Sequence, residues 1–131
     1  MSRIGSRAPA YCTGVGKALL SGLPTDQVVS LLREVTLERR TANTITDPIQ
    51  LLEEIKTTTE RGYAIDEGEH EEGIKCFAAS LREYGGDVAG AISLTGLQRN
   101  FAGKTEAKRL LNALQNTAAK ISKTLGTHVG E

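Results

Sequence analysis

A chain of 131 residues with 16 basic and 16 acidic side chains is formally neutral and long enough for one domain with its own core. That balance argues against a free-standing nucleic-acid binder, which shows a basic excess or a basic face. No apolar run approaches the roughly 20 residues of a membrane span, and residues 1–7 lack the apolar stretch of a signal peptide, so the expectation is a cytoplasmic chain with no membrane partner.

The segment 33–40 carries Arg33, Arg39 and Arg40 but also Glu34 and Glu38, and reads as solvated surface. Cys12 and Cys76 show no framework spacing, so reduced thiols are the default. Spacing alone leaves a bond between them open.

Residues 2–10 hold Pro9 and only Ile4 as a large apolar side chain, the pattern of a connecting segment. A short helix follows from Tyr11, with Thr13 as its N-cap and an end near Gly22. Gly14 and Gly16 weaken its first turn. Pro24 restarts the chain, and Thr25 or Asp26 caps a second helix with Val28, Val29, Leu32 and Val35 on its apolar side. After a polar turn at 41–46, Asp47 caps a third helix with Pro48 at its first position, where a missing N–H costs nothing. Ile49, Leu52 and Ile55 form its expected apolar face, and Gly62 stops it. Strands are predicted over 63–67 and 74–84, then a Gly85-Gly86 hairpin turn, then a strand over 88–97. A closing helix carries Ala107, Leu110, Leu111, Leu114, Ala118, Ile121 and Leu125 on one stripe, ends at Gly126, and leaves 127–131 as a frayed tail. The order of elements predicts an α+β domain, an antiparallel sheet covered by helices.

Strand alternation places Cys76, Ala78 and Ser80 on one face and Ser93 with Thr95 on one face of the neighbouring strand. Cys76 can then approach Ser93 or Thr95, and with Asp66 these side chains line a cavity suited to a small polar ligand. The competing interpretation is that small residues let a helix pack closely on the sheet. Gly14 and Gly16 at a helix start admit either a backbone approach to an anion or an ordinary tight turn. Lys17 follows them, but the P-loop spacing is missing. Asp66, Glu67, Glu69, His70, Glu71 and Glu72 form one acidic run. It matches no zinc spacing and reads as a solvated loop, with no metal expected. Cys76 has no evident histidine partner held by a third group, His128 falls in the tail, and no carboxylate pair stands out. No catalytic residue and no cofactor are predicted.

At these residues the chain closely resembles the effector-binding domain of the IclR family of bacterial transcription regulators. The resemblance rests on Arg3-Ile-Gly-Ser-Arg-Ala-Pro9, Thr13-Gly-Val-Gly-Lys-Ala-Leu-Leu20, Thr41-Ala-Asn-Thr-Ile-Thr-Asp47, Gly62-Tyr-Ala-Ile-Asp66, Glu69 with Gly73-Ile-Lys-Cys-Phe-Ala-Ala79, and Gly90-Ala-Ile-Ser-Leu-Thr95, in the family's order. It implies a GAF- or profilin-like fold and a bound small carboxylate, whether a keto, hydroxy, sugar or aromatic acid, with a lean to the sugar-acid branch. It also implies that the backbone N–H groups of Gly14 and Val15 hold the carboxylate and that Asp66, Cys76, Ser93 and Thr95 complete the contacts. An ionised Asp66 only accepts hydrogen bonds and so selects ligand hydroxyls. Two departures stand out. Ser80 occupies the position of the family's usual proline, and the helix-turn-helix, linker helix and first strands of the effector domain are not in the sequence. The chain therefore reads as one N-terminally incomplete effector-binding domain that pairs into dimers or tetramers and meets DNA only through an absent N-terminal domain. The alternatives are a small cytosolic enzyme using Cys76 and Asp66 on an acid substrate, and a dimerisation domain with a vestigial pocket.

Overall fold

The computed structural model describes residues 7–126. The expected frayed tail and His128 lie outside the described residues, as does Ile4. The elements run α1 (Gly14–Ser21), α2 (Thr25–Arg33), α3 (Pro48–Arg61), β1 (Ala64–Glu67), β2 (Ile74–Arg82), β3 (Val88–Leu97), a 3₁₀ turn (Gln98–Phe101) and α4 (Lys104–Thr124). The strands form an antiparallel sheet in the order β1-β2-β3.

Local signals set most boundaries. The Thr13 hydroxyl accepts the Gly16 N–H at 3.1 Å and starts α1. The Asp47 carboxylate accepts the Ile49 N–H, Pro48 opens α3, and Gly62 ends it at φ +86°, a left-handed conformation that side chains resist. The start of α2 differs from the expected one. Pro24 occupies its N-cap without a side-chain bond, and Thr25 and Asp26 already lie inside the helix. The helix ends at Arg33, so Val35 lies beyond it and is half exposed.

On α3 the buried positions are Leu51, Ile55 and Thr58, whereas Ile49 is 74% exposed. The apolar stripe is rotated because Leu51 and Ile55 join Leu20, Val28 and Leu32 in the core of the helical layer. Strand β2 ends at Arg82, before the expected Tyr84, because the ladder is irregular at Leu81 and Arg82 and the Glu83–Asp87 backbone pair opens the turn. Ser80 continues the ladder opposite Ala91, so this strand runs unbroken where a proline would have removed a donor.

Alternation along β2 gives the sheet two unlike faces. Phe77 and Ala79 pack with Phe101, Leu114 and Ala118 under α4, and Phe77 meets the Phe101 ring edge-on at 5.3 Å. Cys76 and Ala78 face the other way and pack with Ala64 and Ala18 of α1. The last turn of α4 also departs from the expected stripe. Leu125 is exposed, while buried Ser122 accepts the Arg82 N–H at 2.9 Å.

Truncation in the core under α4, Phe77→Ala, is expected to destabilise the domain by about 3–5 kcal/mol. Urea unfolding at equilibrium measures it, and a loss below about 1 kcal/mol would place the core elsewhere.

Candidate ligand-binding site

Between the start of α1 and the sheet lies a cavity of about 490 Å³. Gly14, Val15, Asp66, Cys76, Ser93 and Thr95 all line it. The sheet register explains why. Asp66 pairs with Cys76 and Cys76 with Thr95, so the three cross the sheet in one row. Ser93 stands opposite Ala78, one row along. Of the two hydroxyl residues expected near Cys76, Thr95 is the direct partner.

The glycines at the helix start have a packing cause. A Cβ on Gly14 would sit 2.6 Å from Cys76 Sγ, and a Cβ on Gly16 would sit 2.3 Å from the backbone of Ala10. Both glycines let α1 lie flat against its own protein. The Thr13 hydroxyl, which also donates to the Pro9 carbonyl at 2.8 Å, satisfies only the Gly16 N–H of the first turn. Among the described residues the cap therefore leaves the N–H groups of Gly14 and Val15 without a partner at the cavity wall, at the positive end of the helix dipole.

Asp66 is buried, and its Oδ1 accepts the Glu69 N–H at 2.8 Å. Burial lifts its carboxyl above the ordinary value, offset in part by that N–H and by the charges of Lys17 and His70. Burial also pushes the Cys76 thiol up, against the opposing pull of Thr95 and Ser93. A thiol held protonated is a weak nucleophile, and this is the wrong direction for a catalytic cysteine. Cys12, fully buried, is pushed up to about 11 by burial. Both cysteines are free thiols.

The acidic run is not a uniformly solvated loop. Glu71 and Glu72 are exposed, but Glu69 is buried. Its two carboxylate oxygens each lie 2.9 Å from Lys17 Nζ. Lys17 is fully buried, also donates to the Ile65 carbonyl, and does not line the cavity. Glu54 stands 3.8 Å from the same ammonium and bonds Arg61 at 3.1 Å, which ties α3 into the cluster. His70 lines the cavity, with Nδ1 3.7 Å from Cys12 Sγ. Among the described residues no three His, Cys, Asp or Glu side chains converge as a metal ion requires. Arg7 and His70 are cavity residues beyond the six expected ones. The sequence singled out His70 only within the acidic run and Arg7 only within the family-like segment 3–9, and neither carried a ligand role. A second hollow, about 510 Å³, lies between Pro9, Tyr11 and α2 and is walled mainly by Leu20, Leu31, Leu32 and Val35. Only the first combines a helix start with a buried carboxylate.

Residues 1–123 match the family model of the bacterial transcriptional regulator IclR C-terminal domain. The chain belongs to the IclR family. It is 35% identical over 127 residues to the transcriptional regulator KdgR of Escherichia coli, covering 97% of this chain and 48% of that protein. Its fold superposes on the Thermotoga maritima IclR with a TM-score of 0.91 at 32% identity, covering 96% of this chain and 51% of that one. The inducer-binding domain of PobR from Acinetobacter, a double mutant in complex with 3-hydroxybenzoic acid, gives a TM-score of 0.84 at 27% identity over 93% of this chain and 73% of that one. The chain spans between a third and a half of the length of the curated relatives it matches. The family's members are transcription regulators, so the domain is a regulator's effector-binding domain and not an enzyme. Among the described residues no helix is long and apolar enough to cross a membrane.

Two outcomes follow from the electrostatics. Lys17→Met leaves the Glu69 carboxylate buried without its cation and is expected to cost about 3–5 kcal/mol, measured by urea unfolding. For Asp66 the folded-state pKa lies above the unfolded one, so the folded chain binds more protons between the two values and loses stability as pH rises through that window. Asp66→Asn removes the ionised form and is expected to raise the melting temperature of the ligand-free protein at neutral pH. The gain should shrink as pH falls towards the unfolded value of about 3.9. A lower melting temperature at neutral pH would mean that the carboxylate's contacts outweigh its desolvation.

Proposed function

We propose that this IclR-family domain binds a small hydroxy, keto or sugar carboxylic acid in the cavity between α1 and the sheet. The observation that carries the proposal is the row Asp66, Cys76 and Thr95 lying beside the start of α1 in one cavity. Free N–H groups and the helix dipole suit a carboxylate. Asp66, ionised, accepts from ligand hydroxyls, while Ser93 and Thr95 donate or accept. The hydroxybenzoic acid held by the Acinetobacter relative is an acid with a hydroxyl, the same pairing of groups.

On this reading the whole protein is a cytoplasmic homo-oligomer that meets DNA through a domain outside the chain. The ligand acts by differential affinity: whichever subunit arrangement it binds better becomes more populated, and DNA affinity shifts by the same coupling energy.

A thermal-shift panel of keto, sugar and hydroxybenzoic acids tests the proposal. Saturable stabilisation without product is expected, about 2.7 kcal/mol at a ligand concentration of about 100 Kd. Asp66→Ala is expected to keep the fold and to weaken binding of the stabilising acid by at least about tenfold. Unchanged affinity in that variant removes Asp66 from the site.

A further inference from the structure

The two ends of the site come from different elements, N–H groups from the start of α1 and a carboxylate from β1. One buried ion pair spans the gap. Lys17 sits in the first turn of α1 with its side chain 1% exposed, and its ammonium lies 2.9 Å from both oxygens of Glu69. Glu69 returns its own N–H to Asp66 Oδ1 at 2.8 Å and takes the Glu67 N–H on Oε2 at 3.1 Å. The ammonium also binds the Ile65 carbonyl. The pair thus grips the backbone on both sides of Asp66 as well as the residue's carboxylate, while neither Lys17 nor Glu69 lines the cavity. Thr44 Oγ1 donates to the Glu69 carbonyl and Thr41 Oγ1 to the Gly68 carbonyl, both at 2.6 Å, so the far side of the loop is held too.

Stability alone does not account for such a pair, because apolar side chains of similar volume often replace a buried ion pair without loss. What the pair supplies is a fixed distance, and a binding constellation needs its groups held to about 0.5 Å. Resting on the carboxylate reading of the cavity, we infer that Lys17 and Glu69 are positioning residues: they set the separation between the anion hold at Gly14 and Val15 and the hydroxyl reader Asp66, and with it the length of hydroxy acid the site prefers.

The test uses glycolate, glycerate and D-gluconate as probes of increasing length, with affinities from calorimetry on the parent and on two variants. Lys17→Met with Glu69→Gln removes both charges and keeps an amide oxygen for the Glu67 N–H. Glu69→Asp keeps both charges and shortens the strut by one methylene. The parent is expected to prefer one length by at least about tenfold, the neutral double variant to fold and bind with that preference reduced to about threefold or less, and Glu69→Asp to change which length is preferred. Should the double variant fail to fold, the Glu69→Asp outcome decides alone. Preferences that match the parent's in a folded variant overturn the positioning role, as does a parent that binds all three acids equally. No saturable binding to the parent of any probe, or of any acid in the thermal-shift panel, overturns the carboxylate reading instead. The positioning role is then decided without ligand, by hydrogen exchange of the Glu69 N–H relative to the core Leu51 N–H. A rise of about tenfold or more in that ratio in the double variant supports it, and an unchanged ratio overturns it.

Discussion

A buried lysine ammonium is the constraint around which the rest of the domain is arranged. Moving that charge out of solvent costs several kcal/mol even after relaxation, so its donors must find acceptors at fixed places. Lys17 finds them in the two Glu69 oxygens and the Ile65 carbonyl. Each acceptor belongs to a different requirement. The Ile65 carbonyl fixes α1 over β1, Glu69 folds the chain after β1 back under the helix, and Glu54 with Arg61 brings in α3. The arrangement needs α1 close to the sheet, and that closeness is set by Gly14 against Cys76 and by the cluster of Ala18, Ala64 and Ala78. Small residues on this face serve the ion pair and the cavity together, so the packing and ligand readings of those residues do not compete.

The opposite face is built on another principle. Phe77, Phe101 and Leu114 fill the space under α4 with large side chains, which supply most of the apolar burial on that side. The α1 face of the sheet, lined by small residues, carries Asp66, Cys76 and Glu69 in buried positions. Burial raises the pKa of each of these three, and Lys17 pulls Asp66 and Glu69 back towards the ionised form.

What was legible in the sequence follows from the range of the interactions involved. Thr13, Asp47 with Pro48, and Gly62 announce helix ends because cap chemistry is completed within four residues. The Gly85-Gly86 turn and the period of two along β2 and β3 placed the Cys76 and Ser93–Thr95 faces together. Only the register, fixed by the whole ladder, made Thr95 the direct partner of Cys76. The failures are long-range. Lys17 and Glu69 are 52 positions apart, and nothing local distinguishes a buried glutamate from the exposed Glu71 and Glu72 beside it. Ile49 looked like core but points outward, because Leu51 faces the α1–α2 layer. Ser122 was missed since its partner is the strand end at Arg82. Composition ranks a serine as polar surface and carries no record of a distant N–H in need of an acceptor.

The raised carboxyl of Asp66 bears directly on the proposed selectivity. On burial the carboxylate loses water and gains the Glu69 N–H and the charges of Lys17 and His70 as partial compensation. Hydroxyl donors from a ligand bond the ionised form better than the neutral one, so they pull the carboxyl back down and release a proton where it was held. A plain acid of the same length brings the same carboxylate charge but no donor. It offers Asp66 nothing in place of the water lost on burial, and that difference separates the two acids. On the proposed reading, the desolvation of Asp66 is therefore the origin of the discrimination. A site that filled the same cavity with a relaxed, solvated aspartate would bind both acids and tell them apart poorly.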